Sequence, residues 1–496
     1  MNQTLLDDYR SVSLTNQEYR NNRDRWEFLL YSYVGGEEYR RQSYLTKYQL
    51  ETAQEYQQRL NTTPLDNHCQ SVIGVYISYL FRENAEREFG MWNGQPDVDS
   101  FLDDCDYEGR DLDTFMKEVS IWSSVFGHTW ILMTKPFTGA GTLGEEQSMG
   151  IRPYVNILTP LAVMDWKWTR TLSGSYELTY FKYIEEIVDR STTIREWTKD
   201  LINTWVMDDD KKEANLVTQE INQLGVIPAV LSYNKRSIVK GIGVSDVSDI
   251  ADIQRMIYNL NSEIEQSHRL DGHPSLVVTP ETQYGSGAGA IIVMPDTLDP
   301  GLKPYVLEHG GGNVQSLHAT IEQLVKSIDR LSNTGGVRGT EVRTLSGVAM
   351  EVEFSLLNAR LAEKADNLEL AEEQLWTLYG LYQGREWEGE ITYPGTFNIR
   401  DKQREFAQLV QAKSAATDPR VLQVIDHEII ELLGEDADLI MPEMVTLQDG
   451  QEVPYDSAEP FEEPEELYNP STGEQGWVID FTSKREAMLN GWIEVE

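Results

Sequence analysis

Residues 245–270 read SDVSDIADIQRMIYNLNSEIEQSHRL, and residues 313–331 read NVQSLHATIEQLVKSIDRL. In the first, Val247, Ile250, Ile253, Ile257, Leu260 and Ile264 step by three and four, the period of one helix face. Ser245 and Asp246 are residues that cap free helical N–H groups, and Asp271-Gly272-His273-Pro274 ends the pattern. In the second, Val314, Leu317, Ile321, Leu324, Ile328 and Leu331 repeat the same step behind Gly310-Gly311-Gly312, with Asn313 as cap. Two narrow apolar stripes of this kind predict an antiparallel helix pair. Between them lie three strand-like runs, Leu276–Thr279, Ala290–Met294 and Pro304–Leu307. The prediction is a helical stalk carrying a small β knob, a shape that suits a ring-forming conduit more than an enzyme core.

Outward from the stalk, residues 333–347 hold three glycines within five positions and predict a flexible loop. A single helix without proline is expected from Val348 to about Tyr382, and Pro394-Gly395 punctuates the chain beyond it. On the N-terminal side, residues 1–90 read as polar helices with two apolar patches, 25–31 and 72–81. Asp113–Phe126 predicts another helix, closed by Gly127. Strands rich in β-branched and aromatic residues come next, at Thr129–Thr134, Tyr154–Leu158, Val163–Trp168, Leu178–Ile184, Thr193–Thr198, Asn203–Met207 and Ala229–Tyr233. Asp208-Asp209-Asp210 predicts a hairpin tip. Arg400–Leu433 reads as a helical block broken near Asp418-Pro419. The tail differs in kind. Between Arg420 and Lys484 there is no Lys or Arg but 17 Asp and Glu, with prolines at 442, 454, 460, 464 and 470. It is expected to be extended, mostly unpacked and solvated, or to dock a strand through 476–481.

The chain has 496 residues, 40% of them hydrophobic, so sizeable cores can form and about three domains are expected. Its formal charge is −40, from 82 acidic and 42 basic residues. That balance argues against wrapping nucleic acid, which needs clustered Lys and Arg, and leaves open an acidic passage to which DNA does not stick. Two cysteines, Cys69 and Cys105, make no disulfide framework and fit a reducing, intracellular origin. No signal peptide is expected, and the longest apolar runs fall far short of a bilayer span, the pattern of a soluble chain.

Catalytic motifs are missing. No Gly-x-x-x-x-Gly-Lys phosphate loop occurs, and Gly285-Ser286-Gly287-Ala288-Gly289 lacks the helix a dinucleotide site needs, reading instead as a hairpin loop. Asp104–Gly109 starts like a calcium loop, but its twelfth position is Phe115 where a bidentate Glu is required. The seven histidines show no helical His-x-x-x-His pair, and neither Cys-x-x-Cys nor a Gly-x-Ser-x-Gly elbow is present. No catalytic, cofactor or metal site is therefore assigned, and the expectation is a protein that is not an enzyme. The Gly-rich loop carries the one positive signal. Arg338 and Arg343, with Thr334, Thr340 and Thr344, offer two guanidiniums and several hydroxyls that suit light, sequence-independent phosphate contact; the same residues also read as a plain solvent loop joining two helices.

The order of these pieces resembles the portal protein of tailed bacteriophages, the head-to-tail connector. The matching stretches are Gly225-Val226-Ile227-Pro228 leading to Gly243-Val244-Ser245-Asp246, the helix Asp252–Arg269, the strands after His273, and Ser346-Gly347-Val348-Ala349-Met350 leading into the long helix. Arg59-Leu60-Asn61-Thr62-Thr63-Pro64 followed by Val72–Phe81 is similar too, so the likeness spans about residues 25–435. It implies an α+β, ring-forming architecture of wing, stem, clip and crown, with long helices and small sheets. The wing would be 1–244 with the long helix and return strand 348–399. The stem helices would be 245–271 and 313–332, the clip 272–312, the tunnel loop 333–347 and the crown 400–434. The acidic tail 435–496 lies outside the match.

The resemblance implies a ring of twelve copies at the capsid vertex of the virion, made in the bacterial host cytoplasm. Double-stranded DNA would be packaged and ejected through it, contacting the tunnel-loop residues Thr334, Arg338, Thr340, Arg343 and Thr344. The clip residues Gln283, Tyr284, Ser286, Lys303 and Tyr305 would face the terminase large subunit and later the head–tail adaptor. Major capsid or scaffold protein would be a further partner, and no cofactor or membrane is implied. Two other readings compete. A hydrolase with remote carboxylates acting on carbohydrate would use the 12 Trp and 24 Tyr for sugar stacking. A capsid-interior scaffold would share the acidity, but neither explains the stalk and the loop.

Overall fold

The computed structural model describes residues 3–136, 145, 149–208, 210–272, 275–278, 283–284, 292–293, 305–307, 312–338, 347–395 and 397. Beyond these it describes 406, 409–413, 422, 425, 427, 429, 444–446, 452–454, 460–469, 474–480 and 493–494. The fold is mixed α and β with small antiparallel sheets, and the chain divides into two compact units, Met1–Asn398 and Ile399–Glu496.

Seven helices come first in the larger unit: α1 Gln3–Val12, α2 Gln17–Val34, α3 Gly36–Arg41, α4 Ala53–Thr62, α5 His68–Leu80, α6 Pro96–Asp103 and α7 Leu112–Phe126. A short strand, β1 Glu86–Glu88, lies between α5 and α6. Capping explains several boundaries. Asp111 accepts from the Thr114 N–H at 2.6 Å to start α7, and Gly127, at φ 92°, ends it in the left-handed region. Both apolar patches expected between residues 25 and 81 lie on α2 and α5, whose Trp26, Leu29, Val72, Ile73 and Tyr76 enter the main core.

Three strands, β2 His128–Thr134, β3 Tyr154–Leu158 and β9 Ala229–Tyr233, form a sheet in the order β3-β2-β9, and all seven residues of β2 are buried. The intervening strands build a five-stranded meander: β4 Val163–Arg170, β5 Tyr176–Val188, β6 Ser191–Thr198, β7 Leu201–Asp208 and β8 Glu213–Ile221. The buried Lys182 of β5 fastens α1 to this meander, its ammonium donating to the carbonyls of Val12 (3.0 Å) and Leu14 (2.6 Å). The Asp208 region is a hairpin tip, as expected. Strand β8 has no counterpart in the sequence reading, because its exposed residues mix polar side chains with Leu216, Val217 and Ile221 and give no alternation to detect.

The stalk comes next. Helix α8 runs Ser248–Gly272 and α9 runs Gly312–Ser332, and the two pack together. Between them, β10 Ser275–Val277 pairs antiparallel with β13 Tyr305–Leu307, and β11 Gln283–Tyr284 pairs with β12 Ile292–Val293. Since β10 and β13 close the far ends of α8 and α9, the helices run antiparallel. Val247, Ile250, Ile257, Ile264 and Ile328 are buried, as their stripes require. Leu331 departs from its stripe and is exposed.

One further boundary moves. Helix α8 begins at Ser248, three residues after the expected cap. Ser245 instead turns its hydroxyl to the Val125 carbonyl at 2.6 Å, and Asp246 is consumed by cations of the long helix. That helix comes after a single helical turn, α10 Gly335–Arg338; it is α11 Gly347–Gln383, and it buries Leu357, Leu361, Leu368, Leu375 and Tyr379 along one face. The return strand β14 Glu390–Thr392 pairs antiparallel with β1.

In the smaller unit, described helical residues include 409–413. The tail, expected to be extended and unpacked, carries paired strands instead: β15 Met444–Thr446 with β16 Glu452–Pro454, and β17 Pro460–Asn469 between β18 Glu474–Asp480 and β19 Ile493–Glu494. The Gly476–Asp480 run expected as a docking strand pairs within the chain, in β18. Register shifts between Pro460 and Glu465, where Pro464 has no N–H to give the ladder. The 17 acids hid these strands because so acidic a composition reads as disorder, and the adjacent pairs Glu462-Glu463 and Glu465-Glu466 of β17 break any period-two alternation.

Candidate functional site

The residues that converge most in the larger unit lie where both stalk helices return. At the end of α9, Asn333 adopts φ 57° and the Thr334 N–H donates to the Asp329 carbonyl at 3.1 Å. This is the Schellman closure of a helix, with Asn at the left-handed position. The Thr334 carbonyl then accepts from the N–H groups of Val337 and Arg338, starting α10. Its hydroxyl lies 2.6 Å from that of Ser332 and is fully buried. The first residues of the expected flexible loop are thus a capped turn and a short helical turn. Three glycines masked a signal that the Asn-Thr pair carries.

Arg338 is clamped rather than free. Its guanidinium donates to Asp329 at 2.9 Å, to the Ser71 hydroxyl at 3.0 Å and to His68 Nδ1 at 2.8 Å. Accepting that bond leaves the His68 proton on Nε2, which lies 3.1 Å from an Asp66 carboxylate oxygen. The His68 contact holds the Asp66 carboxyl below its usual range. The Arg338 side chain is 11% exposed. As a contact for passing phosphate it is therefore committed elsewhere, because three acceptors of the chain's own fold already hold it. Among the remaining loop residues, Thr340, Arg343 and Thr344 lie outside the described residues.

A second cluster sits beside the first. Asp246 lies 2.6 Å from the Lys364 ammonium and 3.0 Å from the Arg360 guanidinium, all three at most partly exposed. Burial opposes its ionisation, but Lys364 and Arg360 outweigh burial and hold its carboxyl below the usual range. Lys364 also donates to the Ser124 hydroxyl at 2.7 Å and to Asn234. Arg360 donates to the Leu331 carbonyl at 3.1 Å, so one side chain of α11 ties the root of α8 to the last turn of α9. Tyr76 joins the two clusters: its hydroxyl donates to the Ser332 carbonyl at 2.5 Å, and its aromatic ring faces the Arg360 guanidinium at 5.2 Å. Gln254 completes the joint, accepting from the Cys69 N–H and donating to the Ser32 carbonyl.

This joint was not named from sequence. One signal was present: Arg360 and Lys364 are the only basic residues of α11, and they lie one helical turn apart. Their buried partner Asp246 is more than a hundred residues away, 114 from Arg360, beyond any local pattern.

Of the expected clip residues, Gln283 and Tyr284 form β11, and Tyr305 lies in β13 and is exposed. The structure does not join them on one sheet, since the knob is two separate strand pairs. Ser286 and Lys303 lie outside the described residues. Both cysteines are free and buried. Among the described residues, no group of three or more His, Cys, Asp or Glu is placed to hold a metal ion, and no helix is long and apolar enough to cross a membrane.

No family model matches the chain, and no curated protein matches it. Solved structures similar to it include the virion of a native gene transfer agent particle, at 10% identity and TM-score 0.42, covering 74% of this chain and 89% of that one. The neck of the native particle, computed with C12 symmetry, gives 10% identity and TM-score 0.41 with the same coverage. The neck of the empty particle, computed with C6 symmetry, gives 11% identity and TM-score 0.45, covering 75% and 91%. These are likenesses of outline and assign no role to any residue.

Proposed function

We propose that the chain is the subunit of a portal-type ring at a capsid vertex, through which double-stranded DNA passes. The observation that carries this reading is the stalk itself. Two antiparallel helices project a small strand knob and return to a joint that grips the root of a Gly-rich loop from three helices. In this reading the knob meets a packaging motor, the terminase large subunit, and afterwards a head–tail adaptor, while capsid or scaffold protein surrounds the ring in the virion. The chain itself performs no catalytic step; it guides, holds and releases DNA that a separate ATPase drives.

Phosphate contact belongs to Thr340, Arg343 and Thr344, and Arg338 anchors the loop that presents them. The −40 charge supports a passage whose walls repel phosphate, avoiding the electrostatic sticking that grows with each phosphate neutralised. Negative-stain electron microscopy of the purified full-length chain tests the reading. End-on class averages are expected to show closed rings with a central hole and about twelve subunits. Compact particles without a hole, in the presence of scaffold protein as well as alone, would overturn it. In rings, Arg343→Ala is expected to reduce genome retention while assembly is unchanged.

A further inference from the structure

Ring assembly sets this chain an electrostatic problem. Each copy carries −40, so contact between copies is opposed unless a locally basic patch meets an acidic one. Interfaces in rings of three or more copies are heterologous: one surface of a protomer meets a different surface of the next, so the patch need not match itself.

A cleft of about 650 Å³ lies between the β4–β5 hairpin and the segment after β9. Its lining includes Trp168, Tyr176, Tyr233, Arg236, Ile238 and Lys240. The Lys240 ammonium stands 3.4 Å from the centre of the Tyr176 ring and 4.5 Å from that of Trp168. Arg236 faces Tyr233 at 5.5 Å, and Arg170 faces Tyr176 at 6.0 Å. Arg170, Arg236 and Lys240 therefore rest on aromatic faces, and none forms an ion pair with a carboxylate among the described residues. The cleft's Glu177 is taken by Lys199 at 2.5 Å. Beside these cations, Leu172 and Ile238 are fully exposed. Aromatic and arginine side chains next to exposed aliphatics are the make-up of an interface centre. Covering these cations requires carboxylates, since a charge buried without a partner is strongly unfavourable.

We propose that this cleft is the face on which a second copy of the chain docks, covering Ile238 and setting carboxylates against Arg236 and Lys240. The proposal rests on the ring reading and names the contact that makes the ring. Because Cys69 and Cys105 are buried, Ile238→Cys provides an accessible thiol for a benzophenone maleimide. Irradiation of assembled, labelled full-length protein is expected to give a product of twice the chain mass, with the cross-link in an acid-rich peptide of the second copy. Arg236→Glu with Lys240→Glu alters exposed side chains only. It is expected to leave circular dichroism unchanged and to lower the thermal midpoint only by the few degrees that the lost cation–π contacts account for, while weakening assembly about tenfold or more, the effect of losing a central contact. Rings that persist in this variant, with cross-links confined to one chain, overturn the proposal and leave the ring reading standing. A wild-type chain that never assembles, with or without scaffold protein, overturns both.

Discussion

At the scale of single residues, the joint at the stalk root makes two commitments that can be measured. Arg338 and Asp329 pair at 2.9 Å with little exposure, so the pair is screened less than a surface pair and each partner is needed to satisfy the other. A double-mutant cycle with Arg338→Ala and Asp329→Ala, read by denaturant unfolding, is expected to give a coupling energy of about 1–3 kcal/mol. A coupling near zero would mean that the clamp does not hold the loop root. His128 makes the second commitment. It is fully buried, accepts from the Gly243 N–H at 3.3 Å, and burial drives its pKa down to about 3. In the unfolded chain the same imidazole titrates near 6.5. Between those values the unfolded state binds a proton that the folded state refuses, so this residue's contribution to stability is complete above pH 6.5 and declines as pH falls toward 3. Well inside that window the wild type is expected to lose stability faster than His128→Gln, by about 1.4 kcal/mol per pH unit. Parallel slopes for the two proteins would show that His128 is protonated in the fold.

At the scale of elements, the stalk helices were legible because their stripes are local and their stops are Gly and Pro. Burial tracks the stripe closely enough to predict a contrast. Ile257 is 1% exposed and Leu331 is 45% exposed. Ile257→Asp is expected to cost at least about 3 kcal/mol by burying an unpaired charge, and Leu331→Asp less than about 0.5 kcal/mol. Equal effects would mean that the stripe does not set the packing. What was not legible is equally physical. The capped turn at Asn333 and Thr334 was hidden because glycine frequency, the stronger local signal, points to disorder whether or not a cap precedes it. The Asp246–Lys364–Arg360 cluster was hidden because its members come from elements far apart in the chain. The crossing of Gly127 and Gly243 is of the same kind: a Cβ on Gly243 would stand 1.8 Å from the Gly127 carbonyl oxygen, a constraint that neither glycine announces in sequence. The candidate site was therefore half visible. Thr334 and Arg338 stood out in the sequence, but Ser332, Asp329, Ser71 and His68, which hold them, did not.

At the scale of the whole molecule, the proposed ring makes net charge the long-range force that its assembly must overcome. Twelve copies at −40 each would bring about −480 into one particle. Repulsion between neighbouring copies acts over tens of ångströms, and salt controls its reach: the Debye length is about 30 Å at 0.01 M and about 10 Å at 0.1 M. The attraction assigned to Arg236 and Lys240 acts at contact distance, well inside either length, where screening is weaker. Raising salt from 0.01 to 0.15 M should therefore remove the long-range repulsion before it weakens the local pairs. Assembly is expected to be favoured by moderate salt, with the oligomeric fraction rising over that range in sedimentation velocity and falling again only when salt is high enough to screen contact pairs. A fraction that declines steadily from the lowest salt would show that opposite-charge contacts dominate the interface throughout. The net charge would then oppose assembly less than its size suggests, because the acids would lie mostly away from the seams between copies.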